Sequence, residues 1–309
     1  MTDWLMYKEK GLFLQSFHPA AALFYLGTLF VLALCFNNPL YQVGLLLVLL
    51  LAIWSVDGLM VWEKYLKLSL FIAIPIVLIN SLMGQNGKTV IWLGPEVPVV
   101  GQLTISMEAI YYSASMCIRL IEIISVFCLF NRMVHPDKAV SFFARFTGKT
   151  ALVITMSMRL FPIMVREFER IKTVQRMRGV DFNKGTFLER MKNYSSVVNI
   201  LLLSSLENSL EMAESMQARG FASGPRSSYA RNLLRPRDFI CIFSCGLGLG
   251  IGLWGLAHGY GTYTFYPLIG YLISSNAAMV VLLLVLLCLS MPVMLSWGGQ
   301  HCLFIKSKI

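Results

Sequence analysis

The sequence predicts an all-α, polytopic membrane protein of about six transmembrane helices, with a pair of long cytoplasmic helices inserted before the last two spans. Three observations carry this. Of 309 residues, 57% are apolar and only 14% charged, whereas soluble domains carry roughly one-quarter charged residues. Six apolar runs approach or exceed the roughly 17 to 25 residues that a bilayer-spanning helix needs. The net charge of +10 is concentrated in one internal segment between the fourth and fifth runs.

The runs are Ala20 to Phe36, Leu40 to Val56, Leu66 to Met83, Ile105 to Phe130, Phe239 to Ala257 and Tyr266 to Leu295. Glycine and proline punctuate them at Asn37-Asn38-Pro39, at Gly84-Gln85-Asn86-Gly87 and at Gly259-Tyr260-Gly261. Lys88 to Thr104, with Gly94, Pro95, Pro98 and Gly101, reads as a short hairpin or a re-entrant segment. The chain then divides into four transmembrane helices within 1–130, a cytoplasmic region over 131–237, and the last transmembrane helices within 238–309. Lys8 and Lys10 precede the first run, but no small-residue cleavage site follows it, so it reads as a retained span. The seven cysteines fall mostly inside apolar runs without CxxC spacing and read as small apolar residues.

Charge sets the orientation. With the N-terminus inside, Lys8, Lys10, Lys64, Lys67, Lys306 and Lys308 fall at cytoplasmic ends, as do all 18 Lys and Arg residues between Asn131 and Arg237. Only Lys88 lies outside, and Arg119 lies within a span. This is the positive-inside asymmetry, and an even number of spans places both termini in the cytoplasm. The segment from Asn131 to Arg237 holds eight acidic residues against those 18 basic ones, so it carries the whole net charge. At about 107 residues it is too long for a simple connection and has structure of its own.

Two amphipathic helices are legible in it. Ile154, Met158, Phe161, Val165 and Phe168 recur at helical spacing, with Arg159, Arg166 and Arg170 opposite. Leu203, Leu206, Leu210 and Ala213 form a second stripe beside Glu207, Glu211 and Glu214. The bland reading of each stripe is a helix packed on its neighbour. Ala151 to Val165 is apolar, but it is only about 15 residues long and carries Arg159 and Pro162. A central arginine costs roughly 2.5 to 3.5 kcal/mol on insertion scales. The segment therefore lies along the membrane surface and does not form a seventh span.

Both helices end alike: Gln175-Arg176-Met177-Arg178-Gly179 closes the first, and Met216-Gln217-Ala218-Arg219-Gly220 the second. Glycine just past a helix is the usual left-handed stop. Arginine in the last turn suits the helix dipole and leaves a planar, permanently charged fork at the tip. One Arg-Gly helix end is ordinary. Two of them, 41 residues apart on the cytoplasmic side of a membrane protein, are specific.

With these residues the chain resembles the T component of energy-coupling-factor (ECF) transporters, the EcfT or CbiQ family, whose hallmark is two Ala-Arg-Gly-type motifs on long cytoplasmic coupling helices. His135-Pro136-Asp137 resembles the family's proline-containing entry after the fourth span, and Met158-Arg159-Leu160-Phe161-Pro162 its Arg-x-x-Pro segment. Met177 stands where the family more often has alanine, and the segment after Gly259 extends beyond shorter members. The resemblance implies a non-catalytic subunit of a vitamin or transition-metal importer in a bacterial or archaeal plasma membrane. It implies docking of Met177-Arg178-Gly179 and Ala218-Arg219-Gly220 to two cytoplasmic ABC ATPase subunits. It also implies a small membrane S component that binds the substrate, with ATP and Mg on the ATPases and no cofactor or metal on this chain.

Other residues weigh differently. Arg119 and Glu122, three apart in the fourth span, read as a structural ion pair, with a proton or substrate path as the alternative. Together with Arg159 and Pro162 they are candidates for structural or coupling roles. His135 and Asp137 read as a cap or turn beside proline. No Walker loop, HExxH or GxSxG occurs, so the chain is expected not to hydrolyse ATP. The basic segment abuts the bilayer, where lipid headgroups and an acidic protein groove are simpler partners than nucleic acid. A substrate-translocating permease of an ordinary ABC transporter and a membrane-embedded lipid transferase are the alternative functions.

Overall fold

A computed structural model of the chain describes residues 17–83, 89–97, 101–134, 139, 150–182, 185–221, 223, 235–265, 270 and 275–301. Contacts divide the chain into two compact units, one of residues 1–138 and 233–309, the other of residues 139–232.

The first unit is a helical bundle. It contains α1 (Pro19–Cys35), α2 (Pro39–Ser55), α3 (Leu59–Met83), the strands β1 (Val90–Val97) and β2 (Gly101–Ser106), and α4 (Met107–Met133). The last two described helices follow the second unit in sequence and are α7 (Pro236–Ala257) and α8 (Asn276–His301). The starts are written locally. Proline occupies the first turn of α1, α2 and α7, where its missing N–H costs nothing. His18 Nδ1 accepts from the Ala20 N–H at 3.1 Å and Asn38 Oδ1 from Leu40 at 3.0 Å. Ser106 caps α4 by accepting from Ala109 at 3.3 Å.

Helix α4 packs on α1, α2 and α3, while α8 packs on α2 and α7. Polar links cross these contacts inside the bundle. The Tyr41 hydroxyl donates to the Ala278 carbonyl at 2.6 Å, Ser115 to Gln42 Oε1 at 2.9 Å, and the Trp62 indole to Ser125 at 2.9 Å. Between α1 and α7 a glycine makes room for side chains of the facing helix: a Cβ on Gly252 would lie 2.7 Å from Leu32 Cδ2.

Among the described residues, three helices, α4, α7 and α8, are long and apolar enough to cross a membrane, and α1 and α2 are shorter apolar helices of 17 residues each. Of the expected boundaries that shift, three helix starts are the most informative. Ile105 pairs with Trp92 in the hairpin, so the helix begins at Met107 and not at Ile105. Helix α3 begins at Leu59, because Glu63 and Lys67 pair at 2.8 Å across one turn and let a charged stretch continue the helix. The last helix, α8, starts at Asn276 and not at Tyr266; Gly270 and Ser275 lie outside any helix. Ser275 Oγ accepts from the Ala277 N–H at 3.2 Å there. The hairpin alternative for Lys88 to Thr104 is the one found: β1 and β2 are antiparallel. The Gly84–Gly87 turn and His135-Pro136-Asp137 lie outside the described residues.

The second unit is built on two long helices, α5 (Thr150–Met177) and α6 (Phe187–Ala218). They share a small core of Ile171, Phe182 and Val197, flanked by Phe168, Val180 and Leu201. The Phe182 and Tyr194 rings stand 5.2 Å apart, and Asn193 Nδ2 donates to the Asp181 carbonyl at 3.1 Å. Of the stripe residues read from sequence, Phe168 joins this core. Phe161, Leu203, Leu206 and Leu210 remain 62% to 68% exposed. The reason is that the core sits beside the connecting turn, and the stripes run past it.

Candidate functional site

The candidate site is the pair of helix ends in the second unit. At the first, the Gly179 N–H donates to the Arg176 carbonyl at 3.0 Å and the Val180 N–H to the Gln175 carbonyl at 3.1 Å. At the second, Gly220 donates to Gln217 at 3.0 Å and Phe221 to Met216 at 3.1 Å. Each is a Schellman turn, in which the last orphan carbonyls of the helix are closed by the two residues beyond it. The conformation requires a left-handed residue, and Gly179 and Gly220 supply it with φ of 86° and 72°. The glycine stops expected from sequence are therefore present in both places, with identical bonding.

The consequence for the arginines is positional. Arg178 and Arg219 are the residues at which the helices stop, and both are exposed. Met177 is 82% exposed, and Ala218 is exposed as well. The first end is braced by Asn193 and Tyr194, early in α6, while the second is the far end of α6 itself. A rise of about 1.5 Å per residue puts roughly 38 Å between Tyr194 and Arg219. Within this unit the two guanidinium forks thus stand far apart, each on a rigid stop. Such forks recognise carboxylates or carbonyls on a partner surface.

Arg159 and Pro162 lie within α5, both exposed. Proline removes one helical donor, and Arg166 Nε donates to the Pro162 carbonyl at 3.3 Å one turn later. In the bundle, Arg119 and Glu122 do not form the expected ion pair. The Arg119 guanidinium donates to the Phe36 carbonyl at 2.9 Å and to Asn37 Oδ1, across to the end of α1. Glu122 is fully buried with neither carboxyl oxygen hydrogen-bonded. The long side chain reaches past its helical neighbour to a carbonyl that has no intrahelical partner where α1 ends and that also accepts from Gln42 Nε2 at 3.3 Å.

Sequence reading missed Asp238. Its carboxylate accepts from the Arg235 N–H at 2.9 Å, capping α7, and from the His18 N–H at 3.1 Å, 220 residues away. The Pro236-Arg237-Asp238 order, with proline first and an acid at the third position, is a helix-start signal that could have located it. Among the described residues, no three His, Cys, Asp or Glu side chains lie close enough together to hold a metal ion.

Comparison with known proteins settles the family. A model of the cobalt transport protein family, CbiQ, matches residues 13–229, a span that includes both helix ends. The chain belongs to the CbiQ family. Among curated relatives, it is 25% identical over 243 residues to the energy-coupling factor transporter transmembrane protein EcfT of Thermotoga maritima, covering 74% of this chain and 86% of that one. It is 26% identical over 216 residues to EcfT 1 of Listeria monocytogenes, with 66% and 77% covered. The EcfT of Ruminiclostridium cellulolyticum is 29% identical over 186 residues, with 57% and 65% covered. As a CbiQ-family member with long apolar helices, the chain is a membrane protein of transport and an ECF transporter T component.

Proposed function

We propose that this chain is the transmembrane scaffold and coupling subunit of an ECF-type ABC importer. It transmits ATP-driven movement of two cytoplasmic ATPase subunits to a small substrate-binding S component, for uptake of a vitamin or a transition-metal ion. The observation that carries the reading is the pair of long helices in one unit, each ended by the same Schellman turn with an exposed arginine at the stop. Arg178 and Arg219 enter grooves on the two ATPases, and Gly179 and Gly220 let the backbones come close. ATP and Mg are held by the ATPases, and this chain binds neither.

The exposed apolar residues Leu203, Leu206 and Leu210 give α6 a face for the S component or the bilayer surface. The chain sits in a bacterial or archaeal plasma membrane with about six spans and both termini inside. The decisive experiment is co-purification of the ATPases with the full chain, together with substrate uptake by the assembled complex, for the wild type and for Arg178→Glu with Arg219→Glu. Unchanged docking and uptake in the double variant would remove the coupling role.

A further inference from the structure

Two thiols of α7 lie one helical turn apart inside the bundle. Cys241 and Cys245 are both 0% exposed, and their side chains hydrogen-bond to each other. The facing helix α1 brings Tyr25 and Thr28 to them, both buried. The Cys245 sulfur meets the Ser244 and Thr28 hydroxyls, but those hydroxyls already donate to the Cys241 and Tyr25 carbonyls, at 3.3 and 2.7 Å. The Tyr25 hydroxyl differs. It is fully buried and has no hydrogen-bond partner among the described residues, and the side chains that act on it electrostatically are those of Cys245 and Cys241. A buried phenol normally finds a partner. Beside two thiols, the acceptor that would complete it is a thiolate.

We propose that Cys241 and Cys245 form a two-coordinate site for monovalent copper, with Tyr25 donating its hydroxyl hydrogen to a ligating sulfur. Cβ atoms four residues apart on a helix stand about 5 to 6 Å from each other, beyond the roughly 3.5 to 4.5 Å of a disulfide. Oxidation therefore cannot close the pair while α7 stays helical. A metal–thiolate bond of about 2.3 Å makes a linear bridge of about 4.6 Å between the sulfurs, which the helical spacing accommodates. Donor number then selects the ion. Among the described residues no third His, Cys, Asp or Glu comes close enough to complete a larger set, although Cys288 and Asp238 act on the pair from farther away. A structural zinc site takes four protein ligands, whereas a pair of soft thiolates suits copper(I). Binding forms two copper–sulfur bonds and releases both thiol protons to solvent, leaving a bis-thiolate complex of charge −1; no electron is transferred. The Tyr25 hydroxyl then has its acceptor and offsets part of that charge inside the bundle. Copper thereby ties two turns of α7 to α1.

The test titrates the full chain, purified in detergent, with copper(I) kept reduced by ascorbate, against a competing copper(I) chelator. Wild type retains one ion, and copper raises its melting temperature, as any ligand specific to the folded state does. X-ray absorption at the copper edge finds two sulfur neighbours. Cys241→Ser with Cys245→Ser abolishes retention, whereas Cys35→Ser, at the other end of α1, leaves it. Tyr25→Phe keeps the ring and lowers affinity by roughly 10- to 100-fold, the range for removing a group hydrogen-bonded to a metal ligand. Melting of each variant without copper checks that the fold persists; should the double serine variant fail to fold, the absorption spectrum and Tyr25→Phe still decide. No copper retained by wild type, copper retained by the folded double variant, or a bound ion with three or more neighbours would overturn the site. Wild-type affinity in Tyr25→Phe would overturn the part assigned to the phenol.

Discussion

The Arg119 guanidinium donates to the Phe36 carbonyl at 2.9 Å, across from α4 to the end of α1, and passes by Glu122 on its own helix. A half-buried charged donor on a helix-end carbonyl, which otherwise accepts only from Gln42 Nε2 at 3.3 Å, is a structural bond worth about 1.5 to 3 kcal/mol. Arg119→Met should therefore lower the thermal stability of the purified chain by about that amount. Glu122→Gln, which removes no hydrogen bond, should change it by less than about 1 kcal/mol. Equal losses in the two variants would mean that the residues act as a pair after all.

Reversing either helix-end charge is the direct probe of docking. Arg178→Glu or Arg219→Glu should each weaken retention of one ATPase, at a cost of about 2 to 5 kcal/mol if the contact is buried on docking. The double variant should be worse than either alone. Arg190→Glu, an exposed basic position in the same unit that belongs to neither Arg-Gly motif, is the control. Co-purification and uptake read on the same variants separate local docking from general basicity: an Arg190 effect equal to the others would favour basicity.

The glycines test the backbone without touching charge. A Cβ on Gly179 would meet nothing within 4 Å, so the penalty of Gly179→Val is the left-handed conformation alone, of order 1 to 3 kcal/mol. Gly179→Asn, which tolerates that conformation, should dock nearly as well as wild type. At Gly220 a Cβ would also lie 3.0 Å from Ser223 Oγ, whose bond to the Gly220 carbonyl is 2.6 Å. Gly220→Val should accordingly be the more damaging of the two valines, in thermal melting and in ATPase retention.

Orientation is open to labelling. Single cysteines at Lys88, Lys184 and Ser307 in a background without the seven natural ones should react from outside at Lys88 and from the cytoplasm at the other two. External reactivity at Ser307 would mean an odd number of spans.

Much of this fold is legible in the sequence, because its starts and stops are local chemistry. Pro19, Pro39 and Pro236 mark helix starts within a residue or two, and Gly179 and Gly220 mark stops to the residue. The failures involve partners that are distant in sequence or compete within it. Ile105 is apolar and could continue a span, but cross-strand pairing with Trp92 claims it. Arg119 has a carboxylate three residues away and a carbonyl 83 residues away, and takes the carbonyl. Helical periodicity identified the Leu203, Leu206 and Leu210 face correctly, yet it cannot say whether a neighbour in the same chain covers it. The packing core instead falls on Ile171, Phe182 and Val197. At the helix ends, the Arg-Gly motif was visible in one dimension, whereas the packing of Val180, just past the first glycine, against Ile171, Phe182 and Val197 is not written in the motif.

Helix α6 contains neither glycine nor proline from Phe187 to Ala218, and so has no joint along its length. One of its ends carries Arg219, and Asn193 and Tyr194 near the other brace the turn that carries Arg178. A rod of this kind fixes the spacing of whatever grips its two ends. Two gripping bodies that draw together cannot shorten it; they can only tilt or swing it. Their linear approach would emerge on the apolar side of the rod as a rotation.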